Sequence, residues 1–99
     1  WDFLICATNQ LVNHVDKIVG MSKGNWNPNM IIRIGKGSDK PLDPGHQHKG
    51  NYIDEFKSMC KNIEFHDVKS GYDVELAYQY AIKNGGINCI IEYPELYYV

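Results

Sequence analysis

Met30-Ile31-Ile32-Arg33-Ile34 is a short run, nearly continuous in apolar residues and rich in β-branched ones. It is too short for a buried helix. Its lack of alternation predicts a strand covered on both faces, the parallel-sheet type. Two comparable runs follow: Ile63, Phe65 and the Val68 region, then Ile87 to Tyr93. Helical patterns separate them. One spans Tyr52 to about Cys60, with Ile53 and Phe56 on its buried side. The other opens at Ser70-Gly71-Tyr72-Asp73, a capping box with Asp in place of the usual Glu, and carries Val74, Ala77, Tyr80 and Ala81 until Gly85 and Gly86 end it.

Working back toward the start, Leu4, Ala7, Leu11, Val15 and Ile18 recur at spacings of three and four, which predicts one further helix. Asp2 is placed to cap it, and Gly20 or Gly24 to stop it. Asn25-Trp26-Asn27-Pro28-Asn29 reads as a turn. The order is therefore helix, strand, loop, helix, strand, helix, strand. Strands alternating with helices predict an α/β fold, three-layer α/β/α with a mostly parallel sheet. The first helix has no strand before it, and the chain does not begin with Met. Both features lead to the expectation that residues 1–99 are the later part of a larger domain.

The bulk numbers set few limits. The 99 residues suffice for one domain, and 43% hydrophobic with 22% charged residues is ordinary for a globular chain. A net charge of −2 offers no argument for nucleic acid or an anionic membrane as partner. No apolar run approaches the roughly 20 residues that span a bilayer, and no leader pattern is visible. Cys6, Cys60 and Cys89 are odd in number and far apart, so they read as reduced core or near-core thiols in a cytoplasmic or organelle-matrix setting.

Between Gly35 and Gly50 lies a long polar loop with four glycines, two prolines, two histidines and three lysines. Loops of this length in a small domain are usually functional or disordered. Gly35-Lys36-Gly37-Ser38 has the wrong order for a phosphate-binding P-loop, and Pro41 blocks the helix such a loop needs. His46 and His48 have no third metal ligand evident nearby. His14 and His66 read as structural.

Several stretches, in the same order, resemble the pyrimidine-binding domain of the transketolase-like group of thiamine-diphosphate enzymes. Asp2-Phe3, Asn9-Gln10-Leu11-Val12-Asn13-His14, Lys17 and Met21-Ser22 resemble the family run "DF…DQ(I/V)…H…K…(M/R)SGG". Ile31-Ile32-Arg33 with Gly35 resembles its "(V/I)(V/I)R…G" strand and turn. Gly45-His46-Gln47-His48 resembles "G-x-x-H" in its substrate loop. Tyr72-Asp73-Val74-Glu75-Leu76 with Ala81-Ile82, and Ile90-Ile91-Glu92 through Glu95-Leu96-Tyr97, resemble "YDAKGLL…AI" and "VIFLE…LLY". Asn9-Gln10 and the ending Glu95-Leu96-Tyr97 are closest to the beta chain of 2-oxo acid dehydrogenases.

The resemblance implies thiamine diphosphate and Mg²⁺ as cofactors, with metal and diphosphate held by a partner domain or alpha-type subunit in a homo- or hetero-oligomer. It also implies that the glutamate which protonates the pyrimidine lies upstream of Asp2-Phe3, outside these residues. The reaction would be decarboxylation of a 2-oxo acid or two-carbon transfer from a ketose phosphate. Phe3 would stack on the aminopyrimidine, and the alternative is a core residue at a helix start. His48 would face the substrate oxygen as hydrogen-bond donor or proton carrier, with His46 in that role in another register; the alternative is an exposed loop histidine. Arg33 could grip a substrate carboxylate or make a structural ion pair. Lys36, Lys40 and Lys49 could draw an anion to the mouth or simply solvate the loop. Lys49-Gly50 follow His48 where the family has Ser-Gln. That departure supports the alternative of a non-catalytic dimerisation or scaffold module with the same fold.

Overall fold

A computed structural model describes residues 1–97. Strands β1 (Met30–Gly35), β2 (Ile63–Asp67) and β3 (Ile87–Glu92) form one sheet in the order β1–β3–β2, with both pairings parallel. The helices are α1 (Asp2–Ile5), α2 (Ile18–Met21), α3 (Ile53–Met59) and α4 (Gly71–Asn84). The α/β fold with a parallel sheet is thus as the alternating patterns predict. From β1 to β2 the chain skips the central place, then steps back to fill it with β3. Right-handed crossovers running in opposite directions put their helices on opposite faces of a sheet.

The packing follows that rule. All six residues of β3 are buried. Because side chains alternate along a strand, Ile87, Cys89 and Ile91 join a core with Trp1, Leu11, Ile34, Phe56, Cys60 and Ile63. Ile90 instead packs with Val68 and with Val74, Ala77 and Tyr78 of α4. Phe56 is 2% exposed, and burial of a ring this completely stabilises by about 1.5–3 kcal/mol.

Helix α4 takes its cap from Ser70 as its sequence predicts, while the return bond comes from the residue before the cap. Ser70 Oγ accepts the Asp73 N–H at 3.0 Å, and Asp73 Oδ2 in turn accepts the Lys69 N–H at 3.1 Å. The helix ends at Gly85, whose φ of 67° suits glycine. A Cβ there would also lie 2.6 Å from Asn29 Oδ1, the atom that accepts the Gly86 N–H at 2.8 Å.

Four expectations change. β1 is not covered on both faces: it pairs only with β3 among the described residues, and Met30 and Ile31 are each 38% exposed. The single N-terminal helix is instead α1, a π-helical segment Gln10–Val15, and α2. The wide turn carries an Asp16 N–H to Leu11 O bond of 2.9 Å. It turns Leu11 into the core while the buried Asp16 faces Asn62, whose N–H donates to Asp16 Oδ1 at 2.7 Å and whose side-chain amide donates to Asp16 O at 2.8 Å. Trp1, not Asp2, occupies the cap position of α1. Cys6 is exposed, whereas Cys60 and Cys89 are buried as expected. Among the described residues no helix is long and apolar enough to cross a membrane.

Candidate functional site

In parallel sheets the carboxyl ends of the strands form the crevice where ligands bind. Here those ends are Gly35, Asp67 and Glu92, and α1 lies beside the first of them. Trp1 anchors α1. Its backbone nitrogen donates to Gly35 O at 3.1 Å, and its ring stacks on Phe56 (centroids 5.5 Å apart, planes at 24°) with Tyr52 edge-on at 6.4 Å. With Trp1 held in the core, Asp2 and Phe3 project away from it. Phe3 is 78% exposed, so the reading of it as a core residue falls away. A cleft of about 380 Å³ opens here, lined by Trp1, Asp2, Phe3, Leu4, Arg33 and Gly35 among others.

The long loop after β1 returns to this end. The Lys36 N–H continues the ladder by donating to Glu92 O at 2.9 Å. Further on, the Lys49 ammonium donates to Asp39 at 2.7 Å and sits 3.1 Å from Asp43, whose carboxylate also accepts the Gly45 N–H at 2.9 Å. These contacts push the Asp43 carboxyl down, the Gly45 N–H contributing most, and push the Lys49 ammonium up. The two limbs of the loop touch at Gly37, where a Cβ would lie 2.1 Å from His48 O. Only glycine allows so close an approach.

This braced loop carries a 3₁₀ turn, His46–His48, and delivers His48 to α1. His48 Nδ1 lies 2.7 Å from Asp2 Oδ2, and the two rings of Phe3 and His48 sit 5.7 Å apart with their planes at 31°. The hydrogen bond with His48 holds the Asp2 carboxyl below its ordinary value. Phe3 and His48, 45 positions apart, therefore meet on one rim. His46 is exposed, and its ring makes no hydrogen bond among the described residues.

Arg33 is engaged elsewhere. Its Nε donates to Glu92 Oε2 at 2.7 Å and its Nη2 to Oε1 at 3.3 Å, a two-point pairing. Glu92 also accepts the hydroxyls of Tyr78 at 3.1 Å and Tyr97 at 3.3 Å. Arg33 chiefly, and Tyr78, hold the Glu92 carboxyl low despite its burial. Arg33 lines the cleft, but its guanidinium serves the ion pair, which favours the structural alternative for this residue. Lys36, Lys40 and Lys49 border a separate hollow of about 510 Å³ with Asp39 and Glu95, so acidic neighbours offset much of its positive charge. His66 bonds Asn88 at 3.0 Å and leans on Tyr80 at 5.4 Å, the structural role expected.

Sequence reasoning gives Asp2 only as a helix cap and family-motif residue, and assigns no site role to Glu92, Tyr78 or Tyr97. A carboxylate at a helix start reads as a cap by default, and nothing local ties position 2 to position 48. Among the described residues no group of three or more His, Cys, Asp or Glu side chains could hold a metal ion. Comparison with protein-family models, with curated proteins and with solved structures finds no match to the chain.

Proposed function

We propose that the chain forms the pyrimidine-facing half of a thiamine-diphosphate site, in an enzyme resembling the transketolase-like group. The observation that supports this reading is the meeting of Phe3 and His48, with Asp2 behind the imidazole, at the carboxyl ends of parallel strands. Phe3 offers an open aromatic face above a cleft, which suits a flat aminopyrimidine ring. When bound, the cofactor would supply a carbon nucleophile for a substrate carbonyl. The chain's own contribution is to stack the ring on Phe3, exclude water from that face, and present the outer nitrogen of His48 to a substrate oxygen. Magnesium and the diphosphate fall to a partner domain or subunit, which makes the site one shared between two units. Arg33 stays with Glu92 in this reading, and His46 takes no part.

The test is calorimetric titration of thiamine diphosphate, with Mg²⁺, into the full-length protein together with its diphosphate-binding partner. Saturable heat that Phe3→Ala weakens is the expected result. Absence of heat in that complex refutes the reading and leaves the non-catalytic scaffold of the same fold.

A further inference from the structure

We propose that Asp2 is a positioning residue for His48: it fixes the imidazole as the tautomer protonated at Nδ1 and so leaves Nε2 with a free lone pair. The inference rests on the proposed function only for what Nε2 then does, not for the tautomer itself.

The argument begins with what each atom can do. An ionised carboxylate only accepts hydrogen bonds, so the proton in the 2.7 Å contact between His48 Nδ1 and Asp2 Oδ2 belongs to the ring nitrogen. In a neutral imidazole that leaves Nε2 without a proton, because the bond made at one nitrogen sets the state of the other. Asp2 is itself held ionised at neutral pH, its carboxyl lying below the ordinary value of 3.8. The geometry is fixed from both sides. Trp1 is 5% exposed and locks the start of α1, so Asp2 cannot drift from the loop. On the other side, Gly37 under His48 O and the Lys49 brace hold the turn that carries the ring.

The side chains of Asp2 and His48 are 25% and 40% exposed. A bond this accessible to water contributes modestly to stability. Its consequence is orientation. A histidine free to flip would spend part of its time with a proton on the outer nitrogen and part without. With Asp2 in place, Nε2 is an acceptor that can take a proton from a hydroxyl or a bound water and return it.

The test reads the tautomer directly, with no cofactor present. The full chain is labelled with ¹⁵N-histidine, and ring nitrogen shifts are recorded in mildly alkaline buffer. His48 is assigned by comparison with His48→Gln. The expected spectrum shows Nδ1 protonated and Nε2 bare. In Asp2→Asn the amide can donate as well as accept, and the His48 signals are expected to move toward the form protonated at Nε2. His66, bonded to Asn88 on the other face of the sheet, is the internal control and keeps its shifts. A proton on Nε2 in the wild type, as the other tautomer or as imidazolium, overturns the inference. So does an Asp2→Asn spectrum unchanged at His48. Because these spectra need no thiamine diphosphate, a failed cofactor titration with the expected tautomer discards the cofactor and keeps the pairing; the reverse pair of results discards Asp2's role alone.

Discussion

Glu92→Gln is the sharpest probe of how this sheet end is held. The substitution keeps the shape of the side chain and removes its charge. Glu92 is 8% exposed and accepts four contacts, two from Arg33 and one each from Tyr78 and Tyr97. An amide has one acceptor oxygen, so its NH₂ group must face at least one of these donors. The Arg33 side chain is 66% exposed and Tyr97 is half exposed, so both can recover water. What is lost is a charge-assisted bond in a buried setting, about 1.5–3 kcal/mol. For a domain of 60–100 residues each kcal/mol shifts Tm by about 4–8 °C, so Tm at pH 7 should fall by roughly 6–24 °C.

The pH dependence gives a second reading of the same group. Arg33 holds the Glu92 carboxyl below its ordinary value of 4.5, so on acidification the unfolded chain binds a proton first. Stability from Glu92 is complete above that value and drains as pH falls through the lower, folded value. The gap between wild type and Glu92→Gln should therefore be widest near neutrality and close in acid. Thermal unfolding followed by circular dichroism from about pH 3 to 7 measures it. Other carboxylates, Asp2 and Asp43 among them, are also held low, but they are common to both proteins and cancel in the difference. A variant within about 0.5 kcal/mol of wild type at pH 7, the scatter of neutral surface changes, refutes the reasoning. Two curves that stay parallel into acid do so as well.

Phe3→Ala should leave Tm nearly unchanged, because the ring is 78% exposed, yet weaken thiamine-diphosphate binding in the assembled complex. A stacking contribution of about 0.5–1.5 kcal/mol corresponds to roughly 2- to 12-fold in Kd by calorimetry. Ser70→Ala removes the cap of α4 and should cost about 1 kcal/mol, read as a lower denaturation midpoint with unchanged slope. With a thiol reagent near pH 8, Cys6 should react promptly. Cys60 and Cys89 should wait for unfolding, since both are buried, and burial pushes the Cys89 thiol up to about 12. Three fast thiols would contradict the packing of β3 against α3.

What could be read in the sequence was whatever is decided by near neighbours. Ser70 and Asp73 fix the start of α4, Gly85 fixes its end, and the apolar runs fix three strands without reference to anything distant. The errors fall where distant residues decide. Met30-Ile31-Ile32 looks doubly buried, but sheet order gave the central place to β3 and left β1 outside, which no local pattern encodes. The spacing of Leu4 through Ile18 fits one straight helix. Its widening at Gln10–Val15 accompanies a tie between Asp16 and Asn62, 46 positions away. Arg33 has a partner only once parallel register sets Arg33 beside Ile90 and Gly35 beside Glu92. Glu92 then lies on the same face as Arg33, two residues further along the neighbouring strand.

Lys49 has a defined structural role in the loop. Lys49 stands where the resembling family has Ser, the departure that supports a non-catalytic module. Its ammonium instead joins Asp39 and Asp43, two acidic residues of the same loop, and the Gly45 N–H bonds to Asp43 as well. An ion pair of this exposure adds little stability, but it shortens the loop immediately after the turn that carries His48. The bridge from Lys49 back to Asp39 and Asp43 lies next to the turn that sets His48 against Asp2 and Phe3. Lys49 is thus a structural brace beside the turn that carries His48. The cofactor titration decides between a catalytic half-site and a scaffold.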